Sequence, residues 1–125
     1  MEITAPAETR MYVVVRGDLP IGYQVAQSAH AVAELVGRTG LEAVRRWPVT
    51  VVLNAADERH LRGLLALASE RTDPRFGPAP FHEPDLDGQM TAFAAFCGSD
   101  LFAHLQLAGT RRSLRRRALT LLRRR

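Results

Sequence analysis

The sequence predicts an α/β sandwich, and three observations carry that expectation. Two short β-branched runs, residues 11–15 (MYVVV) and 49–53 (VTVVL), bracket a long stretch of helical periodicity. A second helical stretch and two further strand-like runs follow, which gives the order β-α-β-α-β-β-α. The chain has 125 residues, 46% of them hydrophobic and 24% charged, the size and balance of one soluble domain with one core.

Residues 1–9 form a polar leader without the basic and apolar regions of a signal peptide. The first strand covers 11–16. Gly17 and Pro20 end it, because glycine permits turn geometry and proline cannot continue a ladder. The first helix covers about 21–37. Val25, Ala29, Val32 and Val36 share one face at spacings of four, three and four, which makes them the expected core stripe. Tyr23, Gln27, His30 and Glu34 form a second, polar stripe opposite the first. By itself such a stripe reads as a solvated helix face. Gly37 and Gly40 stop the helix. A short helix at 41–46 is closed by Trp47-Pro48, and the second strand at 49–53 follows. A strand, a helix and a strand in this length predict a parallel pair.

Asn54 is the expected N-cap of the next helix, with Asp57 and Glu58 complementing its dipole. Leu61, Leu64, Leu65 and Ala68 give its core stripe before the chain yields near 69–73 to a proline- and glycine-rich loop. Residues 80–83 fit a short third strand with proline at its start or on an edge. Residues 90–96 fit a last apolar strand. Ser99 or Asp100 can cap a final helix whose stripe is Leu101, Leu105 and Ala108.

Charge is informative by position. Residues 1–110 hold all 13 acids and nine arginines, a net −4, whereas residues 111–125 hold eight arginines and no acid, a net +8. The tail RRSLRRRALTLLRRR can be a basic amphipathic helix that binds nucleic acid, anionic membrane or a partner, or it can be a disordered arm. There is no lysine in the chain. Cys97 is the single cysteine, so no intramolecular disulfide is possible and a reducing cytoplasm is the expected compartment. No run approaches the ~20 apolar residues that span a bilayer. The four histidines lack zinc-ligand spacing, and the chain has neither a dinucleotide fingerprint nor a phosphate-loop motif, so no metal or organic cofactor is expected.

Two segments stand out. The first, MYVVVRGDLPIGYQVAQSAHA at 11–31, joins a strand ending in Arg16, the Asp18-Leu19 turn and Gln27-x-x-His30-Ala31 on a helix. The second, FHEPDLDGQMTAFA at 81–94, clusters Glu83, Asp85 and Asp87 between two strands and continues through Gly88, Gln89 and Thr91. An acidic loop there reads as a solvated turn or as a site, since sites gather where loops converge at strand ends. Together the segments resemble type II peptidyl-tRNA hydrolases, over roughly residues 10–108. The resemblance implies a three-layer α/β/α domain with a four-stranded mixed sheet in the order 2-1-4-3. One strand would be antiparallel, helices would cover both faces, and the protein would be a cytoplasmic homodimer acting on tRNA.

It also implies roles. Asp85 matches the family's catalytic aspartate, with Asp87 as a competing match, and Thr91 matches a threonine at the start of the last strand. Ester hydrolysis needs a water, a group to orient or deprotonate it, and donors for the developing oxyanion. Asp85 would act on the water, Thr91 and backbone amides would donate, and His30 would transfer a proton or position the acceptor stem. Arg16, Asp18, Tyr23, Gln27, Asp87 and Gln89 would line the substrate site. Asp18 is expected to tie down its turn by accepting backbone hydrogen bonds. The sequence departs from the family at the turn after Asp18-Leu19, which reads Pro20-Ile21-Gly22-Tyr23-Gln24 and lacks the family's Gly-Lys-Gly-Lys. Arginine is a poor substitute where a proton must move. The departure keeps a second expectation open, a non-catalytic module that binds tRNA or a protein. Hydrolysis of a different ester or amide through the same loop is a third.

Overall fold

The computed structural model describes residues 8–109. The β-branched run forms β1 (Arg10–Arg16), followed by α1 (Ile21–Thr39), α2 (Leu41–Arg46), β2 (Thr50–Ala55) and α3 (Glu58–Arg71). The chain then forms β3 (Ala79–Glu83), β4 (Gln89–Cys97) and β5 (Gln106–Leu107). The architecture is mixed α/β with one five-stranded sheet in the order β3-β4-β1-β2-β5. β1 and β2 are parallel, as the helical crossover between them requires, while β4 runs antiparallel to β1 and β3. The sheet therefore has five strands where four were expected, and the fifth adds antiparallel to β2.

Alternation divides the strands between two cores. Met11, Val13 and Val15 face α1 and α2, where they meet Ala31, Leu35, Ala43, Ala92, Ala94 and Phe96. Tyr12 and Val14 face α3, where they meet Leu61, Leu64, Ala68, Phe93 and Ala95. Both faces of the central strand are thus filled, which is why its sequence is a continuous apolar run rather than an alternation. No helix among the described residues is long and apolar enough to cross a membrane.

Several local expectations are corrected. The final helix does not form. Residues 100–104 are turns that tuck Leu101 and Phe102 into the α3-side core, and the chain then pairs with β2 as β5. A two-residue pairing wins because Phe102, 1% exposed and packed against Tyr12 and Phe93, fixes the turn in a way a helix on the 101/105/108 stripe would not. α3 is capped by Asp57, whose carboxylate accepts from the His60 amide, and Asn54 instead lies at the end of β2.

α1 continues to Thr39 and ends at Gly40, whose φ of 87° lies in the left-handed region. Its buried face is Gln24, Gln27, Ser28, Ala31 and Leu35. The expected stripe is split: Val32 and Val36 are half-buried against the core, while Ala29 is exposed and Val25 is 66% exposed. The Arg-rich tail lies outside the described residues.

Candidate functional site

Three polar side chains buried under α1 define the site, which occupies one end of the sheet. There β1, β2 and β3 finish and the antiparallel β4 begins. Three features of the chain bring the groups together. Residues 79, 81 and 83 of β3 alternate onto the α1 face, so Glu83 follows Ala79 and Phe81 toward the helix. The register of β3 on β4 slips between Phe81, opposite Ala92, and His82, opposite Met90, which leaves Thr91 as the extra residue of a β-bulge. Met90 packs in the α3-side core and Ala92 in the α1-side core, so the strand changes face parity across this residue. Thr91 is thereby turned toward α1. Gln27 comes down from the helix to meet both.

The result is a continuous hydrogen-bonded chain. Thr91 Oγ1 donates to Gln27 Oε1 at 2.6 Å, and Gln27 Nε2 donates to Glu83 Oε2 at 2.8 Å. The backbone amide of Asp85 donates to Glu83 Oε1 at 3.2 Å. Thr91 is 0%, Gln27 2% and Glu83 8% exposed. The Gln27 amide, then the Asp85 amide and the nearby His30, hold the Glu83 carboxyl below its ordinary value, so burial does not neutralise it. Glu83 also caps the short 3₁₀ turn of residues 84–86 that carries Asp85. Asp87 and Gly88 follow with φ of 55° and 74°, both left-handed, and reverse the chain into β4.

A second cluster lies across the mouth of β1. Arg16 grips both oxygens of Asp18, through Nε at 3.0 Å and Nη2 at 2.9 Å, and Nη1 donates to Gln89 Oε1 at 2.9 Å. The Asp18 hydrogen bonds raise the Arg16 guanidinium pKa against the opposing effect of its burial. Asp18 thus clamps a side chain, where backbone amides were expected. The turn is held instead by buried Gln24. Its Nε2 donates to the Leu19 carbonyl at 2.8 Å, and its Oε1 accepts from Asn54 Nδ2 at 2.9 Å. Gly17 suits the point where β1 leaves the sheet, since a Cβ there would lie 3.2 Å from the Ala55 carbonyl oxygen, closer than ordinary contact. From the other face, Glu58 on α3 accepts the Met90 amide at 2.8 Å and pins the start of β4.

The groups that meet solvent are fewer. His30 is exposed one turn along α1 from Gln27, and its ring stacks on Phe81 with centroids 4.6 Å apart and planes 17° apart. Asp85, Asp87, Gln89 and Tyr23 are also exposed. Toward β2, an apolar groove of about 260 Å³ opens between α1 and the sheet, lined by residues including Ile21, Val25, Val52 and Ala108. Among the described residues no group of three or more His, Cys, Asp or Glu is arranged to hold a metal ion. Cys97 lies at the far end of β4, its thiol pushed up to about 12 by burial and then by Asp100, so it is no nucleophile for this site.

The structure therefore brings together Gln27, Thr91 and the Asp85 turn, and separately Arg16, Asp18 and Gln89, while Tyr23 makes no polar contact with either group. It adds Glu83, Gln24, Asn54 and Glu58, which the sequence reading did not place in the site. The alternation of β3 was the one signal for Glu83, whereas Gln24 had none, since the apolar spacing of α1 pointed to Val25.

No protein-family model and no curated protein matches the chain. A solved structure of an Agrobacterium tumefaciens protein of unknown function is similar in fold, with a TM-score of 0.61. The two are 13% identical, and the match covers 83% of this chain and all of the other. That likeness concerns the fold alone.

Proposed function

We propose that the chain hydrolyses the ester bond of peptidyl-tRNA, releasing peptide and free tRNA, in a peptidyl-tRNA hydrolase II-like domain. The observation that supports this best is the chain from Thr91 through Gln27 and Glu83 to the Asp85 amide. It ties the two segments that carry the family resemblance into one unit and holds the turn that presents an exposed carboxylate.

In this reading Asp85 orients a water and takes its proton as the oxygen attacks the ester carbonyl carbon. The negative charge that develops on the carbonyl oxygen is met by backbone amides at the turn. The Thr91 hydroxyl hydrogen is already spent on Gln27, so Thr91 acts by holding Gln27 rather than by touching substrate. Collapse of the tetrahedral intermediate breaks the bond to the ribose oxygen, which leaves with the proton that Asp85 took from the water, relayed by His30. Arg16 is neutralised by Asp18, so phosphate contacts fall to other arginines, including those of the tail, in a cytoplasmic homodimer.

A second reading is a binding module for tRNA or a protein that kept this fold without turnover. The full burial of Thr91 and the pairing of Arg16 with Asp18 favour it, as does the absence of any lysine. The two are separated by deacylation of N-acetylaminoacyl-tRNA alongside tRNA binding at several salt concentrations, with wild type, Asp85→Asn, Asp87→Asn and His30→Ala. Turnover lost in Asp85→Asn but kept in Asp87→Asn supports the hydrolase. Salt-dependent binding with no turnover in any form supports the module.

A further inference from the structure

The direction of every hydrogen bond around Gln27 is set from one end. An ionised carboxylate only accepts, so Glu83 Oε2 takes the Nε2 end of the Gln27 amide at 2.8 Å. The opposite amide orientation would set a carbonyl oxygen against a carboxylate oxygen. With Nε2 committed, Oε1 faces Thr91, and Thr91 Oγ1 at 2.6 Å must donate. The second carboxylate oxygen accepts the Asp85 amide. One side chain at the end of β3 thus governs an amide on α1, a hydroxyl on β4 and the backbone of the 84–86 turn.

We infer that Glu83 is a positioning residue, whose two oxygens set the direction of the Gln27–Thr91 hydrogen bond and anchor the turn that presents Asp85. Its bearing on catalysis rests on the hydrolytic reading above; its bearing on geometry does not. Glu83→Gln keeps the shape and reverses the polarity. The Asp85 amide still needs an oxygen, so the new amide turns its nitrogen toward Gln27. Gln27 then flips, presents Oε1 to residue 83 and donates from Nε2 to Thr91. The Thr91 hydroxyl hydrogen is released. Glu83→Ala removes both contacts at once.

The test uses the isotope-labelled full chain in solution by NMR, with deacylation of N-acetylaminoacyl-tRNA run in parallel. In wild type the Gln27 side-chain amide protons show cross-peaks to the Glu83 methylenes. In Glu83→Gln those cross-peaks move to the Thr91 side chain while the Asp85 amide stays protected from exchange. In Glu83→Ala the Asp85 amide exchanges faster by about tenfold or more. With an active wild type, Glu83→Ala, which frees the Asp85 turn, lowers kcat by about tenfold or more, whereas Glu83→Gln, which keeps the turn anchored, stays within about threefold.

Gln27 protons that stay on residue 83 in Glu83→Gln overturn the proposal. So does Asp85 exchange in Glu83→Ala that matches wild type, or an unchanged kcat in Glu83→Ala with an active wild type. A wild type that does not deacylate, with the cross-peaks moving as described, removes the hydrolytic reading and supports the positioning role of Glu83.

Discussion

Thr91 on β4 donates to Gln27 on α1 across 2.6 Å, and it can do so because the strand bulges at Thr91. Without the extra residue, the alternation that sends Phe93 and Ala95 to the α3-side core would send residue 91 there too. The bulge spends one ladder position to aim a hydroxyl under α1, the use to which bulges near functional sites are commonly put. A fully buried hydroxyl, a nearly buried amide and a carboxylate then satisfy one another.

Thr91→Val tests the strength of this arrangement. Valine fills the same space but leaves the Gln27 carbonyl oxygen without its donor in a dry setting. The cost to unfolding free energy is expected to be about 1–3 kcal/mol. Urea denaturation measures it as a lower midpoint at unchanged slope. A midpoint equal to wild type would mean that the hydroxyl is not engaged.

Acid should loosen the same site. The folded Glu83 carboxyl titrates below its ordinary value of 4.5, with the Gln27 hydrogen bond as the main cause. A depressed carboxyl contributes stability that is fully present above the unfolded value and is lost as pH falls through the folded one. The stability difference between wild type and Glu83→Gln is therefore expected to be constant near neutrality and to move against wild type below pH 4.5. Denaturation midpoints of both proteins from pH 7 to pH 3 report it. A difference independent of pH would show that Glu83 gains nothing from its charge.

The turn at 100–104 makes a separate prediction. Phe102 is 1% exposed and meets Tyr12 and Phe93 edge-on or tilted, with centroids 5.9 Å away in both cases. Phe102→Ala is expected to cost about 3–5 kcal/mol. Thermal or urea unfolding checks it, and a loss under about 1 kcal/mol would be inconsistent with a core position.

Cys97 should be inert in the folded protein. With its thiol at about 12, the thiolate is about one part in 10⁴ at pH 8, and the sulfur is buried besides. A chromogenic disulfide reagent at pH 8 is expected to label it only after denaturant is added. Prompt labelling of the native protein would contradict its placement.

Much of this architecture could be read from the residues, for reasons that can be stated. β1 and β2 were visible because a strand filled on both faces carries unbroken branched side chains, as at Val13, Val14 and Val15. The helices were visible from their spacing. Which face of α1 turns inward was not, because hydrophobicity pointed to Val25 while the interior accepts Gln24 and Gln27 through partners on distant strands. Those partners, Asn54 and Glu83, are 30 and 56 positions away and become neighbours only when the sheet assembles.

The bulge at Thr91 was hidden for the same reason, since register belongs to a pair of strands and not to one. The final helix failed because a periodic stripe of three residues did not outweigh the burial of Leu101 and Phe102 and pairing to β2. Asp85 and Thr91 were legible as candidates. That a glutamine and a buried glutamate connect them was not.

The most direct measurement is the rate of N-acetylaminoacyl-tRNA deacylation by wild type against Asp85→Asn. The account predicts turnover by wild type and a loss of about 10²- to 10⁴-fold in kcat for the variant, as expected when a proton-accepting group is removed. Equal rates for the two proteins, or no deacylation by wild type while tRNA is bound, would contradict it.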